Sequence, residues 1–267
     1  MIRQHICFAC EGSVLIGSLD SPHDVGTLDE APAATGLLLV SGGNELRSGA
    51  WAGQARLAAR LASAGHPVLR FDRRGVGDSD GPNGGFRTSA PDIAAALAAF
   101  RRECPALTRI IGFGNCDGAS ALMLPGGAGL DGLILANPWT IEQDEAAPPP
   151  HAIRAHYRQR LASPEALKRL LRGKVSLGSL FASLRNALRT APPPSSLAQD
   201  MAAGIAGFAG PLVFLIAERD RTAQAFLSAW NKADPRIRRC AGASHSFVEA
   251  EARVWLEAEV LRALKLE

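Results

Sequence analysis

The feature that most constrains the fold of this chain is the segment Gly112-Phe113-Gly114-Asn115-Cys116-Asp117-Gly118. Apolar Ile110-Ile111 lead into it, and the small residues Ala119-Ser120-Ala121 follow it. Cys116 has a glycine two positions away on each side and stands between a strand-like and a helix-like segment. The backbone of such a turn bends so sharply that larger residues in place of the glycines would clash. The segment therefore predicts a strand, a tight turn and a helix that together expose the side chain of Cys116.

Along the rest of the chain, apolar strand-like segments alternate with helical ones. Gly36-Leu37-Leu38-Leu39-Val40 is a continuous apolar run, which is typical of a strand covered on both faces. This alternation predicts an α/β protein with a mostly parallel, doubly wound sheet and helices on both faces. Residues 2–9 and 13–19 predict an antiparallel hairpin that precedes it. The other expected strands are 66–71, 109–113, 133–136, 211–216 and 237–241, and the expected helices are 50–64, 90–102, 117–124, 222–231 and 247–264.

The alternation stops after the sixth strand. We expect residues 1–139 and 209–267 to form the core, and residues 140–208 to form an inserted helical cap bounded by proline triplets. Within the insertion, residues 151–190 contain nine basic residues and one acidic residue, a net charge of +8, while the whole chain carries +3. This basic cap would lie over the site as a lid. Its charge either attracts an anionic substrate or an anionic lipid surface, or is only a solvated helical face.

Three residues have the types and the order of a catalytic triad. Cys116 on its turn is the candidate nucleophile, Asp220 follows the penultimate strand, and His245 lies between the last strand and the last helix. Because parallel strands end at one edge of the sheet, the three side chains are expected to meet there. A helix N-terminus and a paired imidazolium both favour the thiolate form of such a cysteine.

The reaction also needs donors for a developing oxyanion. We expect these to be the backbone N–H groups of Asp117 and of Gly43, where a glycine lets the backbone approach the substrate, with Asn44 as the nearby alternative. Asn44, Arg47 and Trp139 are further candidates for substrate binding. Asp72 precedes the nucleophile and is expected to have a structural hydrogen-bonding role.

Other classes of site are disfavoured. Cys7 and Cys10 match Cys-x-x-Cys, but they would project to opposite faces of a strand, and no second pair completes a zinc site. Asp117 stands where a dinucleotide fingerprint needs its third glycine, so no nucleotide cofactor is expected. The small net charge gives no reason to expect nucleic-acid binding. No apolar run is long enough to span a membrane, and no signal peptide is recognisable, so a cytoplasmic location is expected, with peripheral membrane contact left open.

The chain resembles the α/β-hydrolase superfamily, which implies that fold. The resemblance is carried by Ser41-Gly42-Gly43, the loop Phe71-Asp72-Arg73-Arg74-Gly75-Val76-Gly77-Asp78-Ser79, the Cys116 turn, Asp220 and His245. The commoner pattern of the superfamily has Ser at the turn and often His before the glycines. Here Cys116 and Ser41 stand in those places, and neither change removes a required group, because a thiol is a competent nucleophile and the oxyanion donors are backbone groups.

Four further segments carry a narrower resemblance: Cys116-Asp117-Gly118-Ala119-Ser120, Asn137-Pro138-Trp139, His156-Tyr157 and Arg160-Leu161. They resemble the type 1 hydrolases associated with the exosortase A system, a bacterial family encoded near exopolysaccharide and protein-sorting genes. That family also has Cys at the turn, and the resemblance implies that Cys is the ordinary nucleophile there.

These observations favour a hydrolase that acts on ester or thioester bonds of a small acyl compound through a covalent acyl-enzyme. Two alternatives stay open. One is an acyltransferase that uses the same triad, and the other is a catalytically silent relative that binds a ligand or assembles with other proteins. The identity of the acyl group and the oligomeric state do not follow from the sequence.

Overall fold

A computed structural model describes residues 1–22, 34–142 and 196–265 of the chain. These residues form one eight-stranded sheet with helices around it. The strands are β1 Ile2–Cys10, β2 Ser13–Ser21, β3 Ala34–Val40, β4 Val68–Phe71, β5 Leu107–Asn115, β6 Gly132–Ala136, β7 Leu212–Ala217 and β8 Ile237–Cys240. The helices are α1 Gly53–Ser63, α2 Ala90–Glu103, α3 Asp117–Met123, α4 Ser196–Ile205, α5 Arg221–Ala229 and α6 Ala250–Lys265, with 3₁₀ turns at Ala50–Ala52 and Phe86–Thr88.

The sheet is mostly parallel, as predicted. Its strand order is β1-β2-β4-β3-β5-β6-β7-β8. β1 and β2 form the expected antiparallel hairpin, β2 pairs antiparallel with β4, and the remaining pairs are parallel. The apolar run from Leu37 to Val40 lies in the middle of the sheet and is fully buried, which explains why both faces of this strand are apolar.

Helices cover both faces of the sheet, so the fold is doubly wound. On one face, α1 and α6 pack through side chains such as Leu57, Leu61 and Val260. On the other face, α2, α3, α4 and α5 pack through side chains such as Phe100 and Phe226. The two apolar layers bury the strands that position the turn at Cys116.

The first predicted helix begins later than expected. Residues Ala50–Ala52 form a 3₁₀ turn in which Trp51 and Ala52 have left-handed φ values of 49° and 57°. A Cβ on Gly53 would lie 2.8 Å from the indole ring of Trp51, so this ring occupies the space in front of the helix start. The regular helix therefore begins at Gly53.

Much of the predicted cap, residues 143–195, lies outside the described residues, and so do the basic segment 151–190 and the His156-Tyr157 and Arg160-Leu161 motifs. The last part of the predicted cap is α4, and it packs as part of the core. Its residues Leu197, Met201 and Ile205 are buried in the same cluster as α2 and α3. A Cβ on Gly204 would lie 2.3 Å from the carbonyl oxygen of Met123, so α4 is closely apposed to the end of α3. The last part of the predicted cap is therefore in tight contact with the core, and the extent of the cap stays a prediction.

Candidate active site

Cys116 lies at the sharp turn between β5 and α3. Its backbone has φ 59° and ψ −128°, a region that residues with a side chain rarely occupy. Two backbone bonds hold it there: Cys116 N–H donates to the carbonyl of Ala136 at 3.0 Å, and Ala119 N–H donates to the carbonyl of Cys116 at 3.1 Å. Such strain persists only where the surroundings determine the conformation, and it is frequent at functional sites.

The glycines around this turn are needed because the backbones approach closely. A Cβ on Gly114 would lie 2.5 Å from the carbonyl carbon of Gly118. A Cβ on Gly118 would lie 2.5 Å from the carbonyl oxygen of Val40, at the end of β3. Any larger residue at either position would push the strand and the helix apart. The prediction of a turn that requires glycine on both sides of Cys116 is therefore confirmed.

The structure brings Asp220 and His245 together at the same edge of the sheet as Cys116. The Nδ1 atom of His245 lies 2.9 Å from Oδ2 of Asp220. Asp220 is buried and is also the N-cap of α5, where its Oδ2 accepts a bond from the Ala223 N–H at 3.0 Å. The N-cap geometry fixes the carboxylate, and the carboxylate orients the imidazole.

The His245 ring is also hydrogen-bonded to the Cys116 side chain. The bond to Asp220, and then the bond to Cys116, raise the pKa of His245 to about 10, although the partial burial of the ring acts in the opposite direction. The imidazole is consequently held in a site that favours its protonated form. A cysteine, a histidine and a buried carboxylate connected in this order can supply a nucleophile, a proton acceptor and an orienting acid.

The predicted oxyanion donor Gly43 has a different partner in the structure. Its N–H donates to Oδ1 of Asp117, and its carbonyl oxygen accepts a hydrogen bond from Arg73. Arg73 also lies 3.8 Å from Oδ2 of Asp117. The Gly43 N–H therefore already has an anionic acceptor, supplied by the residue that follows Cys116.

A cleft of about 640 Å³ opens in front of Cys116. Trp139, predicted to bind substrate, forms part of its wall. The Trp139 N–H donates to Ser120 Oγ at 3.0 Å, and Ser120 Oγ donates to the Trp139 carbonyl at 2.8 Å, so this wall is attached to α3. The apolar lining consists of Phe86, Trp139, Ile141 and Leu197, and the charged side chains of the lining are Arg87, Asp117 and Glu142.

The structure does not bring Asn44 and Arg47 to this lining. Asn44 accepts a hydrogen bond from Asn83 at 2.8 Å. Arg47 is held by two acids: its guanidinium pairs with the buried Asp72, and it lies 3.0 Å from Asp78. Asp72 has the structural role that the sequence analysis expected, and its bonds to Arg47 are the physical reason why Arg47 does not face the cleft.

Other residues at this edge were not identified from the sequence. Asn137 follows β6 and donates to the carbonyl of His245 at 3.1 Å. Burial raises the pKa of the Glu45 carboxyl. The charges of His245 and Asp117 also act on this pKa, the first lowering it and the second raising it. Both residues follow buried strands at the edge where Cys116, Asp220 and His245 lie, and that position was the signal that could have found them.

The described part of the chain contains no group of three or more His, Cys, Asp or Glu side chains placed to hold a metal ion. Cys10 is buried and Cys7 is exposed, which confirms that they project to opposite faces of β1. In the same part of the chain, no helix combines the length and the apolar character that a membrane span requires.

Solved structures with a similar fold cover nearly all of this chain. An esterase from Pyrococcus furiosus, Pf2001, matches with a TM-score of 0.61 and 16% identity over 99% of this chain and 90% of its own. The α/β hydrolase GrgF from a Penicillium species matches with a TM-score of 0.65 and 17% identity over 99% and 98%. An α/β serine hydrolase homologue from Coxiella burnetii matches with a TM-score of 0.58 and 15% identity over 98% and 97%. At these identities the likeness shows a shared fold.

No curated protein matches the sequence of the chain. The sequence model of the alpha/beta hydrolase family does match, over residues 37–258. This range begins within β3 and extends into α6, so it contains the parallel strands that follow β3 along the chain, the turn at Cys116, Asp220 and His245. The strand order, the strained turn and this family match lead to one conclusion: the chain belongs to the alpha/beta hydrolase family.

Proposed function

We propose that this protein hydrolyses ester or thioester bonds through a triad of Cys116, His245 and Asp220 and a covalent acyl-enzyme. The observation that carries the proposal is the hydrogen-bonded series from Cys116 to His245 to Asp220, with Cys116 on a strained turn facing the cleft. The Cys10 thiol is buried and donates a hydrogen bond to Asp92 at 3.4 Å; burial and then this bond raise its pKa to about 11, which disfavours the thiolate. Burial also raises the pKa of Cys240. Cys116 differs from both because its side chain is bonded to an imidazole.

In the first half of the reaction, the thiolate sulfur of Cys116 attacks the carbonyl carbon, and a carbon–sulfur bond forms. As the tetrahedral intermediate collapses, the bond to the leaving oxygen or sulfur breaks, and the imidazolium of His245 gives its proton to the leaving group. In the second half, His245 accepts a proton from water as the water oxygen attacks the acyl carbon. The carbon–sulfur bond then breaks, the carboxylic acid leaves, and the thiolate of Cys116 and the imidazolium of His245 are restored. Asp220 keeps the imidazole oriented in both halves.

The oxyanion of the intermediate would be held by the N–H groups of Asp117 and Gly43. For Gly43 this requires the Asp117 carboxylate to leave its present partner. Arg73, which is 3.8 Å from the other carboxylate oxygen, is the nearby group that can receive it. Donors preorganised for a developing charge account for a large share of catalysis in acyl transfer.

The walls of the cleft favour an apolar acyl group. Phe86, Trp139, Ile141 and Leu197 provide aromatic and aliphatic surface. The Glu142 carboxylate accepts hydrogen bonds from the Ser196 hydroxyl and from the Leu197 N–H, so it is already bonded to the first residues of α4. A volume of about 640 Å³ is within the usual range for sites that bind small molecules.

The narrower assignment, to hydrolases that serve exosortase and exopolysaccharide systems, is also part of the proposal. It is supported by the motif residues, of which Cys116, Ser120, Asn137 and Trp139 lie around one turn in the structure. Deleting the gene and measuring secreted exopolysaccharide would test it. Unchanged amounts and chain lengths of the polysaccharide would contradict this assignment without affecting the acyl hydrolase proposal.

The reaction itself is tested with a panel of p-nitrophenyl esters, from acetate to laurate, and with acyl thioesters. Cys116→Ala is expected to abolish turnover, and the matched control Cys7→Ala, at an exposed thiol, is expected to leave it unchanged. Intact-mass measurement of the protein mixed with substrate is expected to show an acyl adduct on Cys116. Undiminished turnover by Cys116→Ala would contradict the mechanism.

Two further outcomes of this experiment separate the alternatives. Product esters formed when an alcohol is added would identify an acyltransferase. No turnover and no adduct with any acyl compound would favour a catalytically silent protein that binds a ligand.

A further inference from the structure

We propose that Asn137, assisted by Asn115, is a positioning residue that holds the backbone of His245 in place for the proposed triad. This inference rests on the proposed function only for the role of the triad. Asn137 follows β6 directly and is fully buried, and it is not among the residues that line the cleft. A contact with substrate therefore does not explain why a polar side chain is placed there.

The hydrogen bonds of Asn137 use its whole carboxamide. Its Oδ1 accepts from the Ala217 N–H at 2.8 Å. Its Nδ2 donates to the carbonyl oxygen of His245 at 3.1 Å and to Oδ1 of Asn115 at 3.1 Å. The orientation of the amide is unambiguous, because a backbone N–H can only donate and must face the oxygen. Asn115 adds a second donor, with its Nδ2 at 3.3 Å from the same His245 oxygen.

These bonds connect the three segments that carry the triad. Asn115 immediately precedes Cys116, and Ala217 ends the strand that leads to Asp220. The third partner is the carbonyl of His245 itself. One buried side chain thus sets the separation between the ends of β5, β6 and β7 and the loop after β8.

The loop that carries His245 needs such a restraint. It is followed by Phe247, which has a left-handed φ of 50°, and Asn137 has a left-handed φ of 43°. Phe247 is buried and stacks on Trp255 at 6.1 Å, so one side of the loop is attached to the core. The two asparagines hold the other side, and His245 lies between these attachments.

Two explanations of Asn137 lead to different measurements. A purely structural residue, which only satisfies buried backbone groups at the ends of strands, would affect stability and leave the proton chemistry of Cys116 and His245 as it is. A positioning residue would lower the rate of the chemical step and leave substrate binding nearly unchanged, because small displacements of a catalytic group have large effects on rate.

The test uses Asn137→Asp, which keeps the shape and the acceptor for Ala217 and replaces the donor to His245 by a carboxylate oxygen. The matched control is Asn231→Asp, the same change at an exposed asparagine whose Oδ1 also accepts a backbone N–H. With p-nitrophenyl acetate above neutral pH, we expect kcat of Asn137→Asp to fall by about tenfold to a hundredfold, with KM within about twofold of wild type. The deficit should shrink at lower pH, because a protonated carboxyl regains a donor for His245.

The second readout is the pH dependence of Cys116 alkylation by iodoacetamide, followed by peptide mass analysis. We expect Cys116 to be alkylated more slowly in Asn137→Asp, and the plot of alkylation rate against pH to be displaced from that of wild type. The plot for Asn231→Asp should coincide with that of wild type. A kcat and an alkylation profile equal to wild type would overturn the proposal, and so would a change confined to KM.

If Asn137→Asp does not fold, the variant Asn115→Ala provides the test of the proposal. Asn115 is only half-buried and supplies the second donor to the His245 carbonyl. This variant should give the same slower alkylation, and a wild-type profile would overturn the proposal. If wild-type protein hydrolyses none of the esters, the hydrolase proposal fails, but the alkylation profiles still decide the role of the asparagines.

Discussion

The N–H of Gly43 donates a hydrogen bond to the carboxylate of Asp117, the residue that follows Cys116 in the chain. These two residues supply the two backbone donors proposed for the oxyanion hole. A substrate oxygen and the Asp117 side chain would therefore compete for the Gly43 N–H. The competition is local, because Arg73 lies close enough to take the carboxylate when it moves.

We expect Asp117→Ala to raise kcat/KM for small esters. A hydrogen bond to a charged group contributes about 1.5–3 kcal/mol, so removing this competitor corresponds to a gain of about tenfold to a hundredfold. The backbone N–H at position 117 is retained, and so is the Arg73 bond to Gly43. Steady-state kinetics with p-nitrophenyl acetate provide the measurement, and Asp80→Ala, at an exposed acid, is the control. A loss of kcat/KM in the folded Asp117→Ala variant would show that the carboxylate assists the reaction instead.

Asp220→Asn should reduce kcat by about a hundredfold or more, because an amide lacks the negative charge that stabilises the imidazolium of His245. The amide oxygen can still accept the Ala223 N–H, so the N-cap of α5 should be retained, while the melting temperature at neutral pH should fall because protonated His245 loses its charged partner. Glu218→Gln, which neutralises an exposed acid near the same strand end, is the matched control. Equal kcat values for the two variants would remove Asp220 from the triad.

The raised pKa of His245 predicts how stability depends on pH. The pKa is about 10 in the folded protein, against about 6.5 for an unperturbed histidine. Because the folded state binds the proton more tightly, the stabilisation from His245 is fully present below about pH 6.5 and is lost as the pH rises toward 10. The groups around the ring that set this behaviour are Asp220, Cys116 and Glu45.

The measurement is the difference in melting temperature between wild type and His245→Gln. That difference should be largest at mildly acidic to neutral pH and should decrease steadily as the pH approaches 10. His66→Gln, at a histidine remote from the triad whose Nδ1 lies 3.0 Å from the Thr35 carbonyl, controls for the loss of an imidazole. A difference that grows with pH would mean that His245 is held neutral.

Gly114→Ala should destabilise the protein by more than about 2 kcal/mol, because the new methyl group would overlap the backbone of Gly118. Gly207→Ala is the control, since a Cβ there meets nothing within 4 Å, and it should change stability by less than about 0.5 kcal/mol. Denaturant unfolding of both variants gives the comparison. Similar stabilities would mean that the turn can widen without cost.

Trp139→Ala should change the preference for acyl groups and leave the chemistry intact. KM for long-chain or aromatic esters is expected to rise by about tenfold, because an aromatic wall of the cleft is lost. Acetate esters should be nearly unaffected, and Trp139→Phe should keep most of the preference. A uniform loss of kcat for all chain lengths would assign Trp139 to the support of the turn, through its backbone bonds to Ser120.

Much of the fold could be predicted from local patterns. Continuous apolar runs identified the buried parallel strands, and the helices between them begin and end within a few residues of the expected positions. The difference lies where tertiary contacts decide the local structure. α1 begins at Gly53 instead of residue 50, because the ring of Trp51 occupies the space in front of the helix. The packing of the apolar face of α4 on α3 is likewise a contact that local patterns do not show.

For the site, residue type and order determined which residues could act: Cys116 between glycines, then an acid and a histidine after successive strands. The tertiary structure decided what these residues and their neighbours bind. The partners of Gly43 and Asn137 lie 74 and 108 residues away along the chain, at Asp117 and His245. Hydrogen bonds depend on distances and angles in space. The sequence shows only the periodicity of apolar residues and the positions where a small residue is needed. The sequence therefore determined the sheet and the order of the candidate triad residues, and packing decided that the Gly43 N–H already has a partner and that Asn137 bonds to the carbonyl of His245.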